Sequence, residues 1–266
     1  MKRFLLSILL SALTAGAAAQ YGDEGWFVRN YRKTEHRIVM RDGTELHTAV
    51  YSPVDTTEAH PILMTRTPYG CAPYGDGVRA LWRSKLESAY AAEGYILVFQ
   101  DVRGRWMSGG EFVNIRPFIE NKAPGQVDEA SDVYDTVEWL VENIPHNNGR
   151  VGVKGNSYNG FYSTMAAASR HPAIRAVSPQ APVYDWYMGD DFHHNGALAL
   201  QPAVQFAPTV STPRDEPTPS FRPRRLAIPD EGTFEYYLSH TVAGFTDMLG
   251  SDFEFWRQIV EHPDYD

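Results

Sequence analysis

The chain has 266 residues, of which 43% are apolar, and its 24 Lys and Arg against 33 Asp and Glu give a formal net charge of −9. This composition is typical of a folded globular protein and excludes a disordered or collagen-like chain. The acidic balance argues against a nucleic-acid-binding groove, which needs a basic stripe, and the single cysteine excludes an intramolecular disulfide.

The N-terminus has the three-part pattern of a secretory signal peptide over residues 1–19. Lys2 and Arg3 precede a mostly apolar run, and three alanines at 17–19 supply small residues for cleavage. The run is too short for a permanent transmembrane helix, although an N-terminal anchor helix is the alternative interpretation. We therefore expect a secreted or periplasmic protein with no membrane contact after cleavage near Ala19.

Residues 20–181 alternate between β-prone runs and helical patterns. Strands are predicted over 36–40, 45–52, 61–65, 95–99, 150–154 and 174–178, helices over 78–92 and 131–143, and a helix of small residues after the turn 155–160 to about Arg170. Asp42-Gly43 between the first two strands indicates a hairpin, and Val133, Val137 and Leu140 share one helical face. This order predicts an α/β sheet that is mostly parallel after an antiparallel start.

The pattern changes near residue 182. Residues 202–229 contain seven prolines and no periodicity, which predicts an extended, irregular segment. Helices are predicted again near 233–241 and 251–262, the second opening on a capping box, Ser251-Asp252-Phe253-Glu254. We interpret residues 20–181 as an incomplete core domain and 182–266 as the beginning of a helical cap domain.

A turn rich in small residues follows the predicted strand 150–154. Its sequence, Gly155-Asn156-Ser157-Tyr158-Asn159-Gly160, is close to the Gly-x-Ser-x-Gly pattern of a nucleophile elbow but not identical with it. In a strand–turn–helix context the Ser157 hydroxyl would project above the sheet edge, and the Tyr158 N–H would face a developing oxyanion. A glycine-rich turn without chemistry is the alternative.

Two further motifs accompany this turn, Arg-Thr-Pro-Tyr-Gly at 66–70 and Asp-Val-Arg-Gly-Arg at 101–105. The combination resembles the X-Pro dipeptidyl-peptidase (CocE/NonD-type) serine hydrolases, a group that includes cocaine esterase, glutaryl-cephalosporanate acylases and α-amino-acid ester hydrolases. The resemblance runs from about residue 30 to the end. It implies the N-terminal part of an α/β-hydrolase fold followed by the start of a helical cap, and acyl-transfer chemistry that needs no cofactor.

The resemblance also implies roles for individual residues. Ser157 would be the acylated nucleophile, the Tyr158 backbone N–H one oxyanion donor, and the Tyr69 hydroxyl the second donor. Asp191, with its neighbour Asp190, matches a carboxylate that binds the α-ammonium group of the substrate, although a solvated aspartate pair is an equal alternative. The partner would thus be a small ester, amide or peptide; the oligomeric state is not predicted.

Other polar residues near these motifs have structural interpretations. We interpret Asp101 and Arg103, after a buried strand, as a structural ion pair, and Cys71 as a small apolar filler rather than a nucleophile. His193 and His194 do not predict a metal site, because adjacent side chains point in different directions and no third ligand is evident.

The general base is not evident from the sequence. In α/β-hydrolases the triad acid and histidine follow the serine, and in this family they follow the whole cap. No histidine after Ser157 lies in a loop after a late core strand; the candidates are His171, His193, His194, His240 and His262. We therefore expect the triad partners beyond residue 266, and expect residues 20–266 expressed alone to be catalytically silent.

Three functions are compatible with these observations. The first is a serine hydrolase that cleaves an ester or amide through Ser157, with an α-amino group in the acyl part, as in α-amino-acid ester hydrolases and acylases. The second is an X-Pro dipeptidyl-peptidase. The third belongs to another class, a catalytically silent hydrolase-like binding protein that keeps the cleft and lacks the triad.

Overall fold

The computed structural model describes residues 24–78, 85–186, 188, 191–212, 214–223, 225–250 and 252–262. The predicted signal peptide, Asp190, Ser251 and residues 79–84 of the predicted helix 78–92 lie outside this part of the chain. Within it, no helix has the length and apolar character needed to cross a membrane.

A six-stranded sheet forms the centre of the described structure, in the order β1-β2-β4-β3-β5-β6. Its strands are β1 (Tyr31–Val39), β2 (Glu45–Pro53), β3 (His60–Thr67), β4 (Ile96–Asp101), β5 (Asn147–Asn156) and β6 (Ile174–Gln180). β1 and β2 form an antiparallel hairpin, β2 is antiparallel to β4, and the remaining pairs are parallel. The predicted mostly parallel sheet with an antiparallel start is confirmed.

Further helices flank the sheet or lie in residues 182–266, the segment predicted to begin a cap. They are α1 (Glu24–Asn30), α2 (Lys85–Ala92), α3 (Glu129–Asn143), α4 (Tyr158–Ser169), α5 (Leu200–Ser211), α6 (Thr233–Leu238), α7 (Gly244–Leu249) and α8 (Glu254–Glu261). α3 begins after Asp128, whose carboxylate accepts the Ser131 N–H at 2.8 Å. α3 and α4 are the crossovers that allow β4, β5 and β6 to run parallel.

Apolar clusters lie on the sheet faces and within the cap. One packs α3 against the sheet and includes Val133, Val137 and Leu140, so the predicted helical face is confirmed. Another joins Tyr158 and Phe161 of α4 to cap residues, among them Phe192, Val204, Phe245 and Trp256. Because α4 contributes to the cap cluster, the helix that follows Ser157 is buried between core and cap.

The predicted irregular segment 202–229 is wrong at its beginning, because Leu200–Ser211 is helix α5. Pro202 lies in the first helical turn, where a missing N–H removes no intrahelical hydrogen bond. Pro208 lies inside the helix, but burial of one apolar face outweighs its cost. That face consists of Ala203, Val204, Ala207 and Val210. The described residues from 212 to 229 are irregular, as predicted.

The predicted capping box does not start the last helix. α8 begins at Glu254 with Phe253 at its N-cap and no side-chain cap bond, so Glu254 is too early in the helix to serve as the third helical residue of a box. Phe253 and Trp256 are buried, and this apolar anchoring fixes the start of the helix. The preceding helix α7 was not predicted.

The predicted ion pair between Asp101 and Arg103 is wrong. The Arg103 guanidinium instead donates to Asp42 in the β1–β2 hairpin at 2.6 Å and to Asp132 in α3 at 2.7 Å. A planar guanidinium can bind two carboxylates that approach from different sides. Arg103 therefore ties the loop after β4 to the hairpin and to α3, and Asp101 is left to other partners.

Candidate active site

Ser157 lies at a sharp turn between β5 and α4. Its backbone angles are φ +58° and ψ −123°, a left-handed region that L-residues other than glycine rarely occupy. Such a conformation costs about 1–3 kcal/mol and persists only where the surroundings determine it. A strained serine between a strand and a helix is the geometry of a nucleophile elbow, so the structure places Ser157 as the sequence predicts.

The two glycines of the turn permit this geometry through close packing. A Cβ atom on Gly155 would lie 2.0 Å from the Asn159 carbonyl oxygen, and one on Gly160 would lie 2.7 Å from the Gln180 carbonyl oxygen. The Ser157 N–H donates to that same Gln180 oxygen at 2.9 Å. The end of β6 therefore holds the turn at a distance that only glycine allows.

Tyr158 is fully buried, and its hydroxyl has partners away from the elbow. The hydroxyl donates to the Asn114 Oδ1 at 2.6 Å and accepts the Ile115 N–H at 3.0 Å. Burial raises the pKa of this phenol well above its usual range, so it stays protonated. The Tyr158 backbone N–H belongs to the first turn of α4, whose N–H groups have no intrahelical acceptor. With the helix dipole, it can stabilise an oxyanion.

Tyr69 lies against the elbow. Its ring meets the Tyr158 ring edge-on at a centroid distance of 6.2 Å, and the residue is 42% exposed. Burial of its hydroxyl raises the pKa of Tyr69, while the positive charge of Arg105 lowers it and the negative charge of Asp191 raises it. Asp191 therefore lies within electrostatic range of the Tyr69 hydroxyl. The structure brings Tyr69 and Tyr158 together, the charge of Asp191 affects the pKa of Tyr69 less than burial and Arg105 do, and Asp190 lies outside the described residues.

The loop that carries Tyr69, residues 68–71, is held from both sides. The Pro68 carbonyl accepts the Trp106 indole N–H at 3.0 Å, and the Cys71 N–H donates to Asp101 at 2.8 Å. Sequence reasoning missed these roles of Asp101 and Trp106. The adjacency of the motifs 66–70 and 101–105 at the ends of the paired strands β3 and β4 was the available signal, because such ends meet at one sheet edge.

Asp101 is buried and accepts two further hydrogen bonds, from the Tyr74 hydroxyl at 3.0 Å and the Met107 N–H at 3.2 Å. Burial raises the pKa of Asp101 from 3.8 to about 6, against the opposing effect of these donors. The Cys71 thiol is buried beside it, and burial raises its pKa well above the usual range. A thiol held protonated is a poor nucleophile, in agreement with its interpretation as an apolar filler.

Within the described residues, the Ser157 hydroxyl makes no hydrogen bond to a histidine. His171 is paired with Glu138 at 2.7 Å and follows the far end of α4, roughly 18 Å along a helix of this length. The His193 ring lies 3.5 Å from the Trp186 carbonyl. The part of the chain that is described contains no cluster of side chains suited to a metal ion. In this part of the chain, Ser157 therefore lies beside Tyr158 and Tyr69 with no histidine hydrogen-bonded to its hydroxyl.

Two cavities lie near the motifs. One, of about 350 Å³, is beside the elbow and is lined by Tyr69, Gly155, Asn156 and Gln180 among others. A larger one, of about 560 Å³, lies between residues 104–114 and the cap and contains none of the predicted site residues. We assign the candidate site to the smaller cavity, because it lies beside the elbow and Tyr69 is among its lining residues.

Comparisons with known proteins agree with this geometry. Residues 42–266 match the X-Pro dipeptidyl-peptidase (S15) family. Cocaine esterase of Rhodococcus sp. (strain MB1 Bresler) is 29% identical over 186 residues, which cover 69% of this chain and 29% of that protein. An α-amino acid ester hydrolase structure is similar with a TM-score of 0.76 and 33% identity, over 89% of this chain and 38% of that one.

An aminopeptidase structure from a marine-sediment Thaumarchaeota archaeon is similar with a TM-score of 0.74 and 31% identity. The match covers 89% of this chain and 39% of that one. The chain therefore spans less than two-fifths of each of these three proteins. The α/β-hydrolase fold predicted from the motifs is confirmed by these neighbours together with the observed sheet.

The close packing of the elbow gives a stability prediction. Gly155→Ala would place a methyl group against the Asn159 backbone, and we expect it to lower the free energy of unfolding by about 3 kcal/mol, as overpacking does. Gly152→Ala, in the same strand, comes closest to the flexible end of the Leu63 side chain, at 3.3 Å, and is expected to cost less than about 1 kcal/mol. Urea unfolding of both variants measures the difference; equal costs would contradict the prediction.

The raised pKa of Asp101 predicts a pH dependence. Because the folded-state pKa of about 6 lies above the ordinary value of 3.8, the folded state binds this proton more tightly. The resulting stability is fully present below pH 3.8 and is lost as the pH rises through 6. We expect the unfolding free energy of the wild type, relative to Asp101→Asn, to fall by about 2–3 kcal/mol across this window. Urea unfolding at several pH values tests this; a rising or constant difference would refute it.

Proposed function

The chain belongs to the X-Pro dipeptidyl-peptidase (S15) family, and from this premise we propose that it carries the nucleophile and oxyanion hole of an exported serine hydrolase acting on esters or amides. The observation that carries the proposal is the positive φ of Ser157 between β5 and α4. Backbone strain of this kind clusters at functional sites. The esterase and peptidase names of the relatives support a hydrolase.

The proposed reaction is acyl transfer. The Ser157 Oγ attacks the carbonyl carbon of the substrate while a base takes its proton, and the carbonyl oxygen becomes an oxyanion. The Tyr158 N–H and the Tyr69 hydroxyl stabilise that oxyanion by hydrogen bonds. When the intermediate collapses, the bond to the leaving alcohol or amine breaks and the leaving group takes the proton from the base. Water then releases the acyl group by the same steps.

The base and the carboxylate that orients it are proposed to come from protein beyond residue 266. Two observations support this. No histidine contacts the Ser157 hydroxyl within the described residues, and each of the three relatives reported above is much longer than the matched region. A serine without a base is a weak nucleophile, so residues 20–266 alone are expected to lack turnover.

The proposed substrate carries an α-amino group in its acyl part. The negative charge of Asp191 raises the pKa of Tyr69, the residue whose ring lies against Tyr158 at the elbow, and this effect supports the assignment. A carboxylate selects a cationic ammonium group by charge-assisted hydrogen bonding. The similarity to an α-amino acid ester hydrolase supports this assignment.

X-Pro dipeptidyl-peptidase activity is the second candidate, supported by the family description. Its substrate also presents an ammonium group, but the scissile bond lies one residue further along and follows proline. Hydrolysis of an X-Pro anilide in preference to a single amino-acid ester would favour this candidate over the first.

A fluorophosphonate probe tests the proposal directly. We expect the protein isolated from its source organism to be labelled on Ser157, with an intact mass well above that of the 266-residue chain. Ser157→Ala should abolish labelling. Labelling of a protein with the mass of the 266-residue chain would show that the base lies within these residues, and no labelling at all would favour a catalytically silent binding protein.

The role of Asp191 can be tested with a matched pair of substrates. Asp191→Asn should lower kcat/KM for an alanine ester by about 10- to 100-fold, the value of a hydrogen bond to a charged group, and leave the propionate ester nearly unchanged. Asp185→Asn is the matched control, since the Asp185 carboxylate accepts the Met188 N–H at 2.6 Å and should affect both esters alike. Equal losses on both esters in Asp191→Asn would remove Asp191 from substrate binding.

A further inference from the structure

Arg105 is a buried arginine whose hydrogen bonds go to backbone carbonyls. The residue is 3% exposed, and its guanidinium donates to the Thr209 carbonyl at 2.8 Å, the Val210 carbonyl at 3.0 Å and the Pro68 carbonyl at 3.3 Å. Among the residues that the structure describes, no carboxylate forms an ion pair with it. A buried charge without a counter-ion is costly, so these carbonyls must provide its compensation.

The acceptors of Arg105 come from two separate elements. Thr209 and Val210 lie in the last turn of α5, where the helix dipole places partial negative charge on free carbonyls. Pro68 directly precedes Tyr69. The rings of Phe112 and Phe221 lie 5.1 and 4.9 Å from the guanidinium carbon and favour a cation by their quadrupoles. One side chain therefore connects the end of the first cap helix to the loop that carries Tyr69.

The segment from which Arg105 extends, residues 103–108, is fixed to the core. Arg103 binds Asp42 and Asp132, as described above, and the Ser108 hydroxyl donates to the Asp101 carbonyl at 2.6 Å. Residues 103–108 are therefore held in place. A displacement of the α5 end would move the Arg105 guanidinium and not the Arg105 backbone.

The cap binds the same segment through a second arginine that does not reach Tyr69. Arg214 donates to the Gly104 carbonyl at 2.9 Å and to the Ser108 carbonyl. Like Arg105, it joins the cap to the core and donates to main-chain carbonyls. Unlike Arg105, it makes no hydrogen bond to residues 68–71, all of which the structure describes. Arg214 therefore serves as a matched control for Arg105.

We propose that Arg105 is a positioning residue that couples docking of the α5 end to the placement of the Tyr69 hydroxyl. The inference rests on the proposed function, since it assigns Arg105 a role through an oxyanion donor. When α5 is docked, the guanidinium fork is fixed by two carbonyls and its Nε–H holds the Pro68 carbonyl. When α5 moves away, the Arg105 guanidinium loses the Thr209 and Val210 carbonyls. Its hydrogen bond to the Pro68 carbonyl is then no longer held in position.

The coupling requires arginine rather than lysine. A guanidinium presents five N–H donors in a rigid plane, so it can reach carbonyls on two sides at once, whereas an ammonium is a point charge on a flexible stem. Arg105→Lys keeps the charge and loses the planar fork, and Arg105→Gln loses both. The comparison separates the electrostatic effect of Arg105 on Tyr69 from its positioning effect.

The test places 3-fluorotyrosine at position 69 of the protein isolated as the full-length chain and records its ¹⁹F resonance. We expect one sharp resonance in the parent protein and in Arg214→Lys, and a broadened or split resonance in Arg105→Lys and Arg105→Gln. In unfluorinated protein, the rate of Ser157 labelling by a fluorophosphonate should fall about 10- to 100-fold in both Arg105 variants, the penalty for a misplaced catalytic group.

The outcomes are distinguishable. A sharp, parent-like resonance in Arg105→Lys, or equal broadening in Arg214→Lys, would overturn the coupling. If Arg105→Gln fails to fold, Arg105→Lys retains the charge and still decides the question. If Ser157 is not labelled even in the parent protein, the proposed function fails, while the ¹⁹F comparison still reports whether Arg105 positions Tyr69.

Discussion

The positive φ angle of Ser157 is the constraint on which the described site depends. An L-residue adopts this conformation only where its neighbours leave no alternative, and here the neighbours are the end of β6, the first turn of α4 and two glycines without side chains. In this conformation Ser157 is exposed at the end of β5 and directly precedes α4, whose first N–H groups have no intrahelical acceptor. The parallel sheet is thus the support that keeps one residue in an unfavourable conformation.

The second half of the site is positioned by the loops after β3 and β4 rather than by the elbow. Asp101 holds one side of residues 68–71, and Trp106 and Arg105 hold the other. These contacts fix backbone atoms, so the Tyr69 side chain inherits its place from its own main chain. The candidate site is consequently built from two supports: the elbow holds Ser157 and the Tyr158 N–H, and the loops after β3 and β4 hold Tyr69.

The sheet and the elbow could be predicted because local patterns determine them. Alternating apolar runs and helical faces give the α/β order, and Gly155 with Gly160 mark the turn. Contacts between distant residues could not be read in this way: Arg103 finds Asp42 and Asp132, which lie 61 and 29 residues away, and not its neighbour Asp101. Helix α5 was missed because its prolines have low helix propensity. Its apolar face stabilises the helix only when it is buried against the rest of the fold, and the local sequence does not show that burial.

The junction between core and cap has a consequence for how proteins with this fold can diverge. Arg105 and Arg214 contact the cap and the segment 103–108 through main-chain carbonyls, which every amino acid provides. Side chains of α5 that point away from this junction can therefore be exchanged by mutation without changing these hydrogen bonds. The sequence of α5 can therefore diverge while its alignment with the core stays the same.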